Sequence, residues 1–135
     1  MKTNKLFRLL VIAGGTVSVG FGIWHFFVPA TYGWWAAIVD ETGELVRAVR
    51  AINIFFSLSL AIFGLQSILF TLHEWANLFV MRVQLAAMTA LWTARVALQI
   101  AYPQGALIGI APIMLGSFVI VLLCFLVPLV LVRAE

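Results

Sequence analysis

The sequence predicts an all-α integral membrane four-helix bundle, and three observations carry that expectation. Of 135 residues, 64% are hydrophobic and only 10% charged, with a mean hydropathy of +1.15, whereas a water-soluble domain of this size carries roughly a quarter charged residues. The apolar residues fall into four runs, each long enough to cross about 30 Å of hydrocarbon as a helix. The residue alternation of a membrane β-barrel strand is absent. Residues 1–135 therefore read as one domain with spans near 6–28, 51–72, 75–102 and 106–132 and a polar loop at 30–50.

The first run, Leu6–Val28, is closed by Pro29. Its basic flank of Lys2, Lys5 and Arg8 imitates a signal peptide, but the run continues for roughly twenty residues without a small-x-small cleavage site, so it reads as a retained span. Gly14, Ser18 and Gly22 recur at steps of four, with His25 one turn further on the same face. Small residues at this spacing let helices approach closely in lipid, which turns His25 into the bundle.

The 30–50 loop carries Asp40, Glu41, Glu44, Arg47 and Arg50, with a turn at Thr42-Gly43. Glu44–Arg50 is either loop or an amphipathic lead-in to the second span, Ala51–Leu72, which His73-Glu74 closes. Asn53, Ser57, Ala61, Gly64, Ser67 and Thr71 share one face of that span, while Ser59, Gln66 and His73 fall roughly opposite. Polar residues on two sides ask for protein neighbours on both, in a tight bundle or an oligomer.

The third run, Trp75–Tyr102, holds Arg82 and Arg95 about 20 Å apart by helical rise. Either both arginines snorkel to opposite headgroup layers, or one is held inside the protein. On the second reading Arg95 becomes functional, because Gln84, Met88, Trp92, Arg95 and Gln99 share a face. Pro103-Gln-Gly105 leads to the fourth run, Ala106–Val132, which contains Pro112 and Pro128 and reads as a structural wall.

Lysine and arginine placement puts both termini on the cytoplasmic side of the inner (plasma) membrane: Lys2, Lys5, Arg8, Arg82 and Arg133 inside, and Arg47, Arg50 and Arg95 outside. The net charge of +3 comes from scattered residues, not a basic stripe, which argues against nucleic acid. The single Cys124 has no partner for a disulfide or a CxxC pair, which excludes thiol exchange between paired cysteines and leaves a buried structural thiol. Catalytic triads, phosphate loops, paired carboxylates and clustered metal ligands are missing from the sequence, so no catalytic or metal residue is assigned.

Depth combined with topology then brings His25, Arg50, Asn53, Arg95 and Gln99 to one leaflet, beside Tyr32, Trp34 and Trp35. The expectation is an outer-leaflet pocket with Arg95 and Arg50 as cations, Asn53 and Gln99 as hydrogen-bonders, His25 as a polar or titratable partner, and Tyr32 and Trp35 as a wall. Its ligand is an anionic or carbonyl-bearing amphiphile, a membrane lipid or a quinone. The competing reading pairs Arg50 and Arg95 with Asp40, Glu41 or Glu44, merely pinning the loop. His25 and His73 lie near opposite membrane boundaries, so one bis-histidine haem cannot use both; a haem would need two five-coordinate sites or ligation between protomers.

The stretch His25-Phe-Phe-Val-Pro29, followed by Tyr32, resembles the H-F-x-x-P-x-x-[aromatic] ending of the first helix in DoxX-like small membrane proteins. Length, four helices and a polar first loop are similar too. The second proline often found along that family's loop is absent, since Ala37-Ile38-Val39-Asp40 stands there. The resemblance implies four helices in the inner membrane and an accessory role beside quinone-linked oxidoreductases, and it assigns no catalytic residue.

The reading that results is a binding or accessory protein, in a homo-oligomer or a larger membrane complex, rather than an enzyme. The membrane subunit of a quinone-linked oxidoreductase and a small oligomeric transporter or channel are the alternatives.

Overall fold

The computed structural model describes residues 5–39, 42–73, 77–105 and 108–132. Expectations placed on Lys2, Asp40, Glu41, Glu74 and Arg133 lie outside the described residues. Every described element is helical: α1 (Lys5–Thr31), the short α2 (Trp34–Ala37), α3 (Glu44–Leu72), α4 (Leu78–Ala101) and α5 (Ala111–Leu131). Each long helix lies beside the next in sequence, and α5 closes against α1. Among the long helices that follow one another, the most extensive seam is α1 with α3 and the slightest is α3 with α4.

The chain carries large apolar side chains on its exterior as well as in its core. Ile52, Phe55, Phe79, Ile100, Ile113, Ile120 and Val130 face outward, whereas Ser18, Ser57, Ser67, Thr71, Gln84 and Gln99 are buried. An apolar exterior around a partly polar interior suits a hydrocarbon solvent, where every polar group must be satisfied internally. In keeping with this, α1, α3 and α5 are long and apolar enough to cross a membrane. Helix α4 is comparable in length but is the least apolar of the four.

The polar side chains of α4 account for that difference, because most of them bind neighbouring helices. Gln84 Nε2 donates to Phe63 O at 2.9 Å and to Ser67 Oγ at 3.0 Å, tying α4 to α3. Trp92 Nε1 donates to Ser18 Oγ at 3.2 Å, across the bundle to α1. Arg82 donates through Nε (3.2 Å) and Nη2 (2.7 Å) to Val132 O, just past α5, where the end of a helix concentrates unpaired carbonyls and negative potential. Asn77 caps α4 by accepting from Val80 N–H at 2.8 Å.

The two small-residue stripes meet, with one redistribution. A Cβ on Gly22 would stand 2.7 Å from Ser57 O and 2.8 Å from Ala61 N, and one on Gly15 would stand 2.8 Å from Gly64 O. The α1–α3 backbones are therefore in direct contact. Gly14 instead faces α5, where a Cβ would lie 2.9 Å from Cys124 Cβ, and Ser18 serves Trp92. Cys124 is partly buried at that seam, less enclosed than the buried thiol expected from sequence.

Element ends differ from expectation in three places. Helix α3 begins at Glu44, so the lead-in is continuous with the span. Its start is stabilised by Thr42 Oγ1, which accepts from Glu44 N–H at 3.2 Å. Helix α5 begins only at Ala111, with Pro112 in its first turn where a missing N–H is harmless. Most informative is α1, which runs through Pro29 to Thr31.

Proline has no N–H to give the carbonyl four residues earlier, here that of His25. Asn53 Nδ2 donates to His25 O at 2.9 Å and so repairs the ladder from α3. Replacing Asn53 with alanine is expected to destabilise the fold by about 1–3 kcal/mol, because the half-buried carbonyl loses its donor. The measurement is the unfolding midpoint in detergent. The loss should shrink in a Pro29→Ala background, where residue 29 regains an N–H; an equal loss in both backgrounds would refute the repair.

Candidate functional site

The end of the bundle that carries α2 gathers the C-terminal turns of α1 and α4 with the N-terminal turns of α3 and α5. All seven residues singled out from sequence lie toward this end, but the structure gives them separate partners. Asn53 serves the His25 carbonyl. The His25 ring packs between Phe21 (centroids 5.0 Å apart) and Phe56 (5.1 Å), and its Nδ1 is buried without a hydrogen-bond partner. Arg50 lies over the Trp35 ring at 5.0 Å, a cation–π contact that holds α2 to α3.

Arg95 and Gln99 converge on a residue that sequence reasoning passed over, Gln104. Arg95 Nη2 donates to Gln104 Oε1 at 2.6 Å. Its guanidinium lies over the Phe118 ring, 4.2 Å from the centroid. Gln99, only 2% exposed, donates through Nε2 to Gln104 O at 2.9 Å and Ala111 O at 3.4 Å, stapling the α4–α5 connection. Its Oε1 has no partner.

Gly105 sets the turn. Its φ of 76° lies in the left-handed region, and a Cβ there would meet Ile110 Cγ1 at 2.5 Å. Ile110 N–H closes the loop on Gly105 O at 3.1 Å. The segment Pro103-Gln104-Gly105 read simply as a helix stop, and Gln104 itself is exposed.

Two cavities flank this cluster. A groove of about 540 Å³ lies between the end of α1 and the α4–α5 connection; its walls include Trp24, His25, Tyr32, Trp34, Gln104 and Met114. A cleft of about 250 Å³ lies between α3 and α4, walled by Phe56, Ser59, Leu60, Phe63, Leu91, Arg95 and Leu98 among others. Phe21 borders both. The slight α3–α4 seam is thus the flank at which the cleft lies.

The site combines aromatic walls, a partnerless ring nitrogen, a primary amide and a guanidinium. Among the described residues no carboxylate pairs with Arg95 or Arg50. Glu44, the described acid of the first loop, pairs with Arg47 at 3.2 Å, and both side chains are exposed, so this bridge adds little. The guanidinium of Arg95 is offset by the Gln104 amide and the Phe118 ring. The described residues include no group of three or more metal-ligating His, Cys, Asp or Glu side chains. His73 follows the far end of α3, twenty residues or about 30 Å along the helix from Asn53, which sits at the level of His25. One haem cannot use both histidines.

Fold and exterior together define an all-helical protein with three helices able to cross a membrane, and helices of that length and apolarity mark a membrane protein. The chain matches no protein-family model, no curated protein and no solved structure.

Proposed function

We propose that this is a four-span protein of the inner (plasma) membrane, both termini cytoplasmic, that binds a membrane amphiphile at its α2 end as a binding or accessory component. Support for α4 as the fourth span comes from Arg82, Gln84 and Trp92, whose polar groups are turned onto the end of α5, α3 and α1 instead of lipid. Alkaline phosphatase fused after Gly43 or Gln104 is expected to be active, and after Leu72 inactive. The opposite pattern would invert the orientation, and equal activity at all three would remove the four-span topology.

The observation that carries the binding reading is the groove, where aromatic walls meet His25 and Gln104 beside a guanidinium without a described carboxylate partner. Aromatic walls take the apolar body of a ligand, while a few convergent polar groups fix its orientation. An anionic or carbonyl-bearing amphiphile, lipid or quinone, answers that description. The DoxX-like motif His25-Phe-Phe-Val-Pro29 favours, as a second reading, the membrane subunit of a quinone-linked oxidoreductase.

Native mass spectrometry and an optical spectrum of the purified protein test both. The expected result is a co-purifying lipid or quinone that Arg95→Leu loses while its circular dichroism is unchanged. A wild-type protein that releases no amphiphile on extraction, or an Arg95→Leu variant that unfolds without any ligand change, would overturn the binding reading.

A further inference from the structure

We propose that the amphiphile is a net-negative glycerophospholipid of the surrounding bilayer, and that Arg95 recognises its phosphate in exchange for Gln104; this rests on the amphiphile-binding reading above. A guanidinium presents five N–H donors in a planar fork suited to two parallel bonds to an oxyanion. Among the described residues, the fork of Arg95 makes one hydrogen bond, from Nη2 to the neutral amide oxygen of Gln104. Its flat face rests on Phe118, itself 1% exposed, which fixes the plane of the fork. The cation is therefore preorganised yet under-coordinated.

Gln104 is placed to give way. Its backbone carbonyl is held by Gln99 and its turn by Gly105, so its side chain can rotate off Arg95 without moving the connection. The same side chain lines the groove, while the aliphatic stem of Arg95 lines the cleft between α3 and α4. Phe56, Leu60, Phe63 and Leu91 give that cleft walls suited to an acyl chain, which points to the bilayer rather than to free phosphate as the source. A neutral carbonyl head would leave the guanidinium charge uncompensated, whereas an anion cancels it.

The test incubates the protein in detergent with equimolar phosphatidylglycerol and diacylglycerol, which lacks the phosphate, and counts bound lipids by native mass spectrometry. Wild type is expected to retain phosphatidylglycerol over diacylglycerol by on the order of tenfold, the scale of a charge-assisted hydrogen-bond pair. Arg95→Gln should bring the ratio close to one. Gln104→Ala should raise it by removing the competing acceptor, and Arg47→Gln, which removes an exposed charge paired with Glu44 away from the site, should leave it unchanged. A wild-type ratio near one, or a preference that survives Arg95→Gln, overturns the inference. If Arg95→Gln does not fold, Arg95→Lys decides: it keeps the charge without the fork, so an undiminished ratio also overturns it. Retention of a neutral amphiphile sinks this inference and leaves the binding reading standing; retention of none sinks both.

Discussion

Gly64→Val is expected to cost about 3 kcal/mol or more and to abolish a cooperative unfolding transition in detergent. A Cβ at this position would stand 2.7 Å from Gly15 O and 2.9 Å from Val19 N, and these are backbone atoms that cannot rotate away. Overpacking a well-filled interior usually costs about 1–3 kcal/mol, and the upper end applies when helices must separate to relieve it. The loss would fall on the α1–α3 seam, the most extensive in the bundle. Gly116→Val provides the control, since nothing lies within 4 Å of a Cβ there. Equal unfolding midpoints for the two variants would show that the α1–α3 contact does not limit stability.

Trp92→Ala should be nearly as damaging, by about 3–5 kcal/mol. The indole is 2% exposed, lies 5.9 Å from the rings of both Phe21 and Phe118, and donates to Ser18 across the bundle. It is the one described side chain joining the diagonal helices α1 and α4 by a hydrogen bond. Trp92→Phe keeps most of the ring and loses the donor, so its cost should be about 1 kcal/mol. Chemical unfolding of the three proteins checks the order; a Phe variant as unstable as the Ala variant would assign the effect to the hydrogen bond rather than to packing.

The overall helical architecture was legible in the sequence because a hydrocarbon solvent leaves a backbone few choices. Runs of twenty apolar residues become helices, and small residues at steps of four become contact faces, as Gly22 and Gly64 illustrate. Helix ends were less legible. Pro29 reads as a stop by every local rule, yet Asn53, twenty-four positions later, supplies the donor that carries α1 past it. No window around the proline contains that information.

The candidate site was legible as a neighbourhood rather than as an arrangement. Depth along each helix brought His25, Asn53, Arg95 and Gln99 to one end. Depth does not say which way a side chain turns, so Asn53 and Gln99 proved to hold backbone together, and Arg50 to hold Trp35. Gln104 escaped notice because its role comes from the left-handed Gly105 beside it, a conformational fact with no trace in hydropathy.

The polar spine of α4 has a consequence for how the chain reaches its membrane. On the four-span reading, a nascent chain delivers α1 and α3 to the insertion machinery before α4, and both partition readily into lipid by themselves. Helix α4 arrives with two arginines and two glutamines and gains little from lipid alone. What retains it is the polar receptor already assembled by its predecessors, Ser18 and the Phe63–Ser67 turn, which accept Trp92 and Gln84. Arg82 then waits for Val132, just past α5, whose carbonyl accepts both of its bonds. On that same reading, insertion and folding of the second half are coupled, and a ribosome paused before α5 emerges is expected to leave α4 only half committed to the bilayer.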